Sequence, residues 1–248
     1  MSRQSRRPLL FASFAVLGLI GAFALLGAPL SAALLGRESA LFVWTSAARA
    51  TLVAGTAVMI CAFAAGLTVG AAAALGPPVA DVLLTRVIEV SGALPAFAAV
   101  VILRALRPTA ELGTIAVALA VLRGLSTAKL VRAALLELSA EDFVLSARAL
   151  GATRVRLFRA HLLPHIAAPS LAEAAHSAAA VVGLDAALNL AGLGGGGLSF
   201  GSLFAEAVER GSPGGALLPA FGTAATVAAF LVLADALEDR FRVGRTFV

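Results

Sequence analysis

The chain has 248 residues, 60% of them hydrophobic and 13% charged, where an ordinary soluble domain carries roughly a quarter charged residues. Mean hydropathy is +0.97, which excludes such a domain and predicts an all-α integral membrane protein, since a helix satisfies its own backbone polar groups in lipid. The formal charge of +5 and pI of about 11.1 would suggest a nucleic-acid partner in a soluble protein. Here the basic residues gather at the ends of apolar runs, so they read as determinants of orientation, with membrane lipid and not nucleic acid as the expected neighbour.

One span takes about 20 apolar residues, so the length fits roughly six transmembrane helices with short loops. A basic amino terminus, 1–8, carries Arg3, Arg6 and Arg7 and leads into the first apolar run, 9–35. A signal peptide starts the same way, but its apolar core is only about 7 to 15 residues long; the longer run predicts a retained first span. A core of five further spans is expected over 50–240. The first of these, about 50–75, ends at Gly76, Pro77 and Pro78, which cannot continue a helix. The next covers about 83–103 and contains Pro95, predicted to kink it. A fourth run covers about 112–131, and lone Cys61 offers neither a disulfide framework nor a thiolate cluster within one chain.

Between the fourth and fifth runs lies a polar segment, 139–164, holding "SARALGATRVRLFRAHLLPH" from Ser146 to His165. Ser139 with Asp142 three residues on reads as a helix start. Phe143, Ala147 and Leu150 repeat at helical spacing on one face. Gly151 suits a left-handed carboxyl cap, and Thr153 opens a second short helix. Pro164 closes the unit where the chain enters the fifth run, about 166–190. The pattern also fits a basic helix lying on anionic headgroups, and pattern alone does not separate the two readings.

A glycine-rich stretch, Gly192 to Gly201, sits in a predicted external segment, 191–215, before the sixth run at about 217–237 and a cytoplasmic tail, 241–248. With the amino terminus inside, six spans put the Gly76 turn, the 139–164 segment and the tail in the cytoplasm, which most arginines favour.

"DFVLSARALGATRVRLFRAHLLP", Asp142 to Pro164, resembles the cytoplasmic coupling loop, the EAA loop, of ABC importer permeases of the dipeptide, oligopeptide and nickel branch. The motif's glycine falls on Gly151 and its closing "LP" on Leu163 and Pro164. "RVIEVSGALP", "AKLVR", "LNLAGLG", "SFGSLFAEA" and "LADALEDR" resemble further segments of that branch in the same order. Departures are Leu145 and Ser146 in place of glutamate and alanine, Phe200 in place of tryptophan, and the glycine run 194–197 in place of a proline-containing loop.

The resemblance implies a type I ABC importer permease fold with a cytoplasmic coupling helix. It implies a second permease subunit, as a heterodimer, two ABC ATPase subunits and an extracytoplasmic solute-binding protein. The chain itself would be no enzyme and bind no cofactor, ATP and magnesium belonging to the ATPase subunits. Import of peptides or a related small solute across a bacterial cytoplasmic membrane would follow. The implied ATPase-coupling residues are Phe143, Ala147, Arg148, Ala149, Leu150, Gly151, Ala152, Arg156, His161 and Pro164. A reading from a different class is an ATP-independent channel or secondary carrier whose basic loop anchors at the membrane surface.

Charges inside spans are costly and mark candidate functional positions. Glu89 and Arg123 lie at similar depth in neighbouring runs and are expected to pair in or beside a translocation path, unless Arg123 snorkels to headgroups. Pro95, Asp185 and Asn189 complete the candidate path residues; Asp185 either lines an outer vestibule or caps the glycine segment. His161 has no cysteine or carboxylate at ligand spacing and is expected to hydrogen-bond locally; no metal site is expected. Gly194 onward is no phosphate loop, lacking a following Gly-Lys-Ser/Thr.

Overall fold

The protein is described by a computed structural model covering residues 39–107 and 112–244, together with Gly18, Gly21, Ala22, Leu26, Gly27, Pro29 and Ser31. The expected basic start and, those seven residues apart, the first span lie outside the described residues. Within them the chain is helical, with no strand.

Helix α1, Ala40–Leu75, has 36 residues and is therefore about 54 Å long, more than the roughly 30 Å of hydrocarbon that a span must cross. Ser39 caps its start by accepting from Phe42 N at 3.2 Å. At its other end the Gly76 N–H reaches Ala72 O at 3.1 Å. Pro77 then supplies an extended cap and Pro78 opens the next helix, a position where its missing donor costs nothing.

The run with Pro95 is broken, not kinked. Helix α2, Pro78–Ala93, and helix α3, Ala96–Leu106, meet at 93°. The residue before a proline is pushed out of the helical region, and Leu94 is extended (φ −88°, ψ 115°). Pro95 (φ −60°, ψ 131°) is extended as well, so two consecutive residues leave the helical region and the chain turns a corner.

Helix α4, Leu112–Ser139, runs a full two turns past the predicted end at Val131, because Leu135 and Leu138 continue its buried face. Helices α5, Asp142–Ala149, and α6, Arg154–Leu157, follow, and a π turn, Phe158–Leu162, leads into α7, Leu163–Leu190. Helix α8, Phe200–Glu209, and α9, Pro213–Gly244, complete the described residues. Four of these helical stretches are long and apolar enough to cross a membrane, or five if the bent pair α2–α3 counts as one.

Helices α1 and α4 approach closely through small residues. A Cβ on Gly66 would lie 2.5 Å from Thr127, and one on Gly70 2.7 Å from Val131, so the contact depends on the glycines that membrane helix pairs favour. Two apolar clusters stack along the bundle. One joins Val58, Val100, Leu119, Val181 and Leu188. The other gathers Val131, Leu135, Val144, Leu157, Leu162 and Ile166, with Leu67 and Leu75 of α1 against it. The ends of α1 and α4 and the start of α7 therefore meet at one end of the bundle, and α5–α6 form an elbow there.

Candidate functional site

The elbow is built on its own small core. Val144, Leu157 and Leu162 are buried against Leu135, Leu138 and Ile166. Val144 and Ala147, three residues apart on one face of α5, turn inward, the former fully buried and the latter partly. Phe143 and Leu150, read at helical spacing with Ala147, are 40% and 89% exposed, so the buried side of α5 is the one that runs through Val144. A two-turn helix leaves the choice of face to its neighbours, and the residues that seat it, Val144, Leu157 and Leu162, carry no motif that marks them in sequence.

Ser139 does not cap α5. It is the last residue of α4, and Glu141, in an extended conformation, occupies the cap without a side-chain bond. The opposite end follows expectation. Gly151 has φ +83°, a conformation open to glycine at little cost. Its N–H bonds Arg148 O at 2.9 Å while Ala152 N–H bonds Ala147 O at 3.1 Å, the paired closure of a Schellman cap. Thr153 Oγ1 then accepts from Arg156 N at 3.4 Å and starts α6. Pro164 falls in the first turn of α7.

The outward face of the elbow combines apolar and basic side chains. Phe143, Leu145, Leu150 and Val155 are exposed, as are Arg148, Ala149 and Arg156, while Ala152 is partly buried. The Phe143 ring stacks on His165, centroids 5.6 Å apart. His161 takes part through its backbone: His165 Nδ1 lies 2.6 Å from His161 O, whereas the His161 ring, contrary to expectation, makes no hydrogen bond among the described residues. A helix–glycine–helix elbow of this kind offers a rigid, small-residue-rich knob with cationic edges, suited to a groove on another protein.

At the opposite end a polar clamp holds the segment after α7. Asp185 Oδ2 accepts from Ser199 Oγ at 2.7 Å and its Oδ1 from Asn189 Nδ2 at 3.1 Å. Ser199 in turn caps α8, exchanging bonds with Ser202, and Phe200 N donates to Thr51 Oγ1 at 3.1 Å. Asp185 thus acts on the cap residue and not on backbone donors directly. From α3, Arg104 Nε donates to Leu193 O at 3.2 Å and another of its guanidinium nitrogens to Gly194 O. A cavity of about 40 Å³ lies beside this clamp, bordered by Thr51, Gly55, Leu119, Val182, Asp185 and Ser199.

Glu89 and Arg123 are not brought together. Glu89 Oε2 accepts from Arg86 at 2.9 Å on an open face of α2, and Arg123 Nε is buried on α4 with no hydrogen-bond partner among the described residues. Equal depth fixes only position along two helices; the direction in which each side chain faces is set by packing. A pair that the sequence does not advertise ties the same two helices: Arg132 Nε and Nη2 donate to the two carboxylate oxygens of Asp81 at 2.7 and 3.2 Å.

Residues 66–243 match the profile of the binding-protein-dependent transport system inner membrane component family. The chain is 30% identical over 210 residues to the dipeptide transport system permease protein DppC of Bacillus subtilis (strain 168), covering 83% of this chain and 65% of that protein. It is 27% identical over 197 residues to the DppC of Alkalihalophilus pseudofirmus, covering 77% and 64%. To the oligopeptide transport system permease protein OppC of B. subtilis it is 26% identical over 160 residues, covering 64% and 52%. The chain thus spans less than two thirds of the length of the first two relatives and about half of the third. With the family profile matched over most of the chain by a bundle of apolar helices that carries the elbow, this multi-pass membrane protein belongs to the family of binding-protein-dependent transport system inner membrane components.

Proposed function

We propose that this chain is the membrane-spanning permease subunit of an ATP-driven ABC importer that moves peptides, or a related small solute, into a bacterial cell by alternating access. The observation that carries the proposal is the elbow: Val144, Leu157 and Leu162 fix it to the bundle, Gly151 sets its bend, and Phe143, Leu150, Arg148 and Arg156 face outward. Such a body transmits displacement because its packed interior deforms little. A groove of an ATPase subunit receives the outward face, and closure of the ATPase pair on ATP and magnesium pushes the elbow as a rigid body.

The assembly on this reading has a second permease subunit, two ATPase subunits and a solute-binding protein on the far side. The chain itself binds no cofactor and performs no chemistry. The elbow and both termini lie in the cytoplasm, and the Asp185–Ser199 clamp faces the binding protein. Dipeptides and oligopeptides are the cargo class because the similar permeases are named for them. Path residues are drawn from Glu89, Pro95, Arg123, Asp185 and Asn189.

The test is reconstitution of the chain with its cognate subunits in vesicles, with peptide uptake measured with and without ATP. Uptake requires ATP and the ATPase, and Gly151→Asp, which forces a Cβ into the left-handed conformation, abolishes both uptake and co-purification of the ATPase. Undiminished uptake without the ATPase overturns the proposal in favour of a secondary carrier.

A further inference from the structure

The bent pair α2–α3 is weakly packed at one end and tied at both. Ile88 is the only side chain of α2 that is fully buried, while Val79, Val82, Leu83, Val87 and Val90 are exposed. What holds α2 specifically is charge. Arg132 grips Asp81 with two parallel bonds, and Thr85 Oγ1 adds a third to Asp81 Oδ1 at 3.1 Å. The two side chains are 26% and 36% exposed, so the pair is better shielded than the Arg86–Glu89 pair nearby, which is 76% and 53% exposed and of the kind that adds little. A two-pronged guanidinium–carboxylate contact also fixes direction, which a lysine cannot do.

Arg132 stands two turns before Ser139, the last residue of α4 ahead of the elbow, on the helix whose Leu135 and Leu138 pack under Val144. Asp81 is in the first turn of α2. Beyond the 93° corner, α3 carries Arg104, whose guanidinium bonds the carbonyls of Leu193 and Gly194 in the segment at the opposite end. One continuous chain of contacts therefore runs from the elbow through α4, the Asp81–Arg132 pair and the bent α2–α3 unit to the segment held by Asp185.

We propose that Asp81 and Arg132 are positioning residues that make α2–α3 act as a bell crank, converting displacement of the elbow into displacement of the 191–199 segment. The pair stays closed throughout the cycle. This rests on the importer reading above.

The experiment uses the complete transporter in vesicles, with import and ATP hydrolysis measured side by side for D81N, R132Q, R132K and the exchanged pair D81R/R132D. D81N and R132Q assemble and hydrolyse ATP, while import per ATP hydrolysed falls by roughly 10-fold, within the ordinary span of coupling energies. R132K stays low, because it cannot fork, and the exchanged pair recovers import. R104Q, at the other end of the crank, shows the same loss of import relative to hydrolysis. Wild-type import in D81N, or an exchanged pair no better than the single variants, overturns the proposal, as does a parallel fall of import, hydrolysis and assembly.

A second readout separates this from the importer reading. Spin labels at the exposed positions Val82 and Leu136, placed with the exposed Cys61 changed to serine, report the spacing of α2 and α4 directly. D81N broadens that distance distribution whether or not the transporter proves to be an importer, and an unchanged distribution overturns the tie itself.

Discussion

The two ends of the bundle are held by opposite physics. At the elbow, Val144, Leu157, Leu162 and Ile166, none more than 4% exposed, form an apolar seat. At the far end, Asp185, Asn189, Ser199, Thr51 and Arg104 form a lattice of directed hydrogen bonds around a glycine segment. Apolar contact is non-directional and survives small shifts; a hydrogen bond weakens steeply as its angle opens. The elbow can therefore move as a body without losing its seat, while the clamp holds one arrangement and releases it abruptly. The reason for the contrast lies in the backbone: the 191–199 segment is not helical, so Arg104 meets the carbonyls of Leu193 and Gly194 while Asp185 and Thr51 hold the start of the helix that follows.

Leu162→Ala has the largest expected effect on the apolar seat. The side chain is fully buried at the centre of the elbow seat, and such truncations cost about 2–5 kcal/mol. Thermal unfolding in detergent shows a large drop for this variant, and protease cleavage appears first at 140–162. A loss no larger than that of a surface substitution would show that the elbow is not seated by its apolar interior.

At the other end, Asp185→Ala leaves Ser199 Oγ without its acceptor, while Asn189 Nδ2 keeps the backbone carbonyl of residue 185 at 2.8 Å; the unmet donor costs about 1–3 kcal/mol. The effect is smaller and differently placed: cleavage appears at 191–199 while the elbow stays protected. Asp185→Asn, which keeps an acceptor oxygen for Ser199, recovers part of the loss. Equal cleavage at both ends in Asp185→Ala would erase the distinction between seat and clamp.

The apolar runs were legible because a span needs a long, uninterrupted stretch, and Gly76–Pro78 and Gly151 were legible because each conformation admits few residue types. Helix ends were less so: α4 continues to Ser139 since Leu135 and Leu138 find partners on α5 and α7, a fact outside the local window. Pro95 announced a disturbance, but its size depended on Leu94 also leaving the helical region. Asp185 stood out as a charge in an apolar run, whereas its partner Ser199 lies 14 residues on, beyond a loop. Asp81 and Arg132, 51 residues apart, share no periodicity, so nothing short of the fold joins them, and the same blindness produced the unformed Glu89–Arg123 pair.

The finest discrimination comes from one short helix and its cap. Val144 and Leu150 are six residues apart, one fully buried and the other 89% exposed. An exposed apolar side chain beside a left-handed cap contributes little to folding, so Leu150→Ala changes stability by no more than about 0.5 kcal/mol. If the outward face enters an ATPase groove, that same leucine becomes a buried anchor in the complex, where truncation of a central anchor costs about 2 kcal/mol or more of binding. Import and ATPase retention in detergent therefore fall in Leu150→Ala while its unfolding temperature holds. Unaltered retention with unaltered stability would mean that the outward face touches nothing, and the seat beneath it would then stiffen a surface with no load to bear.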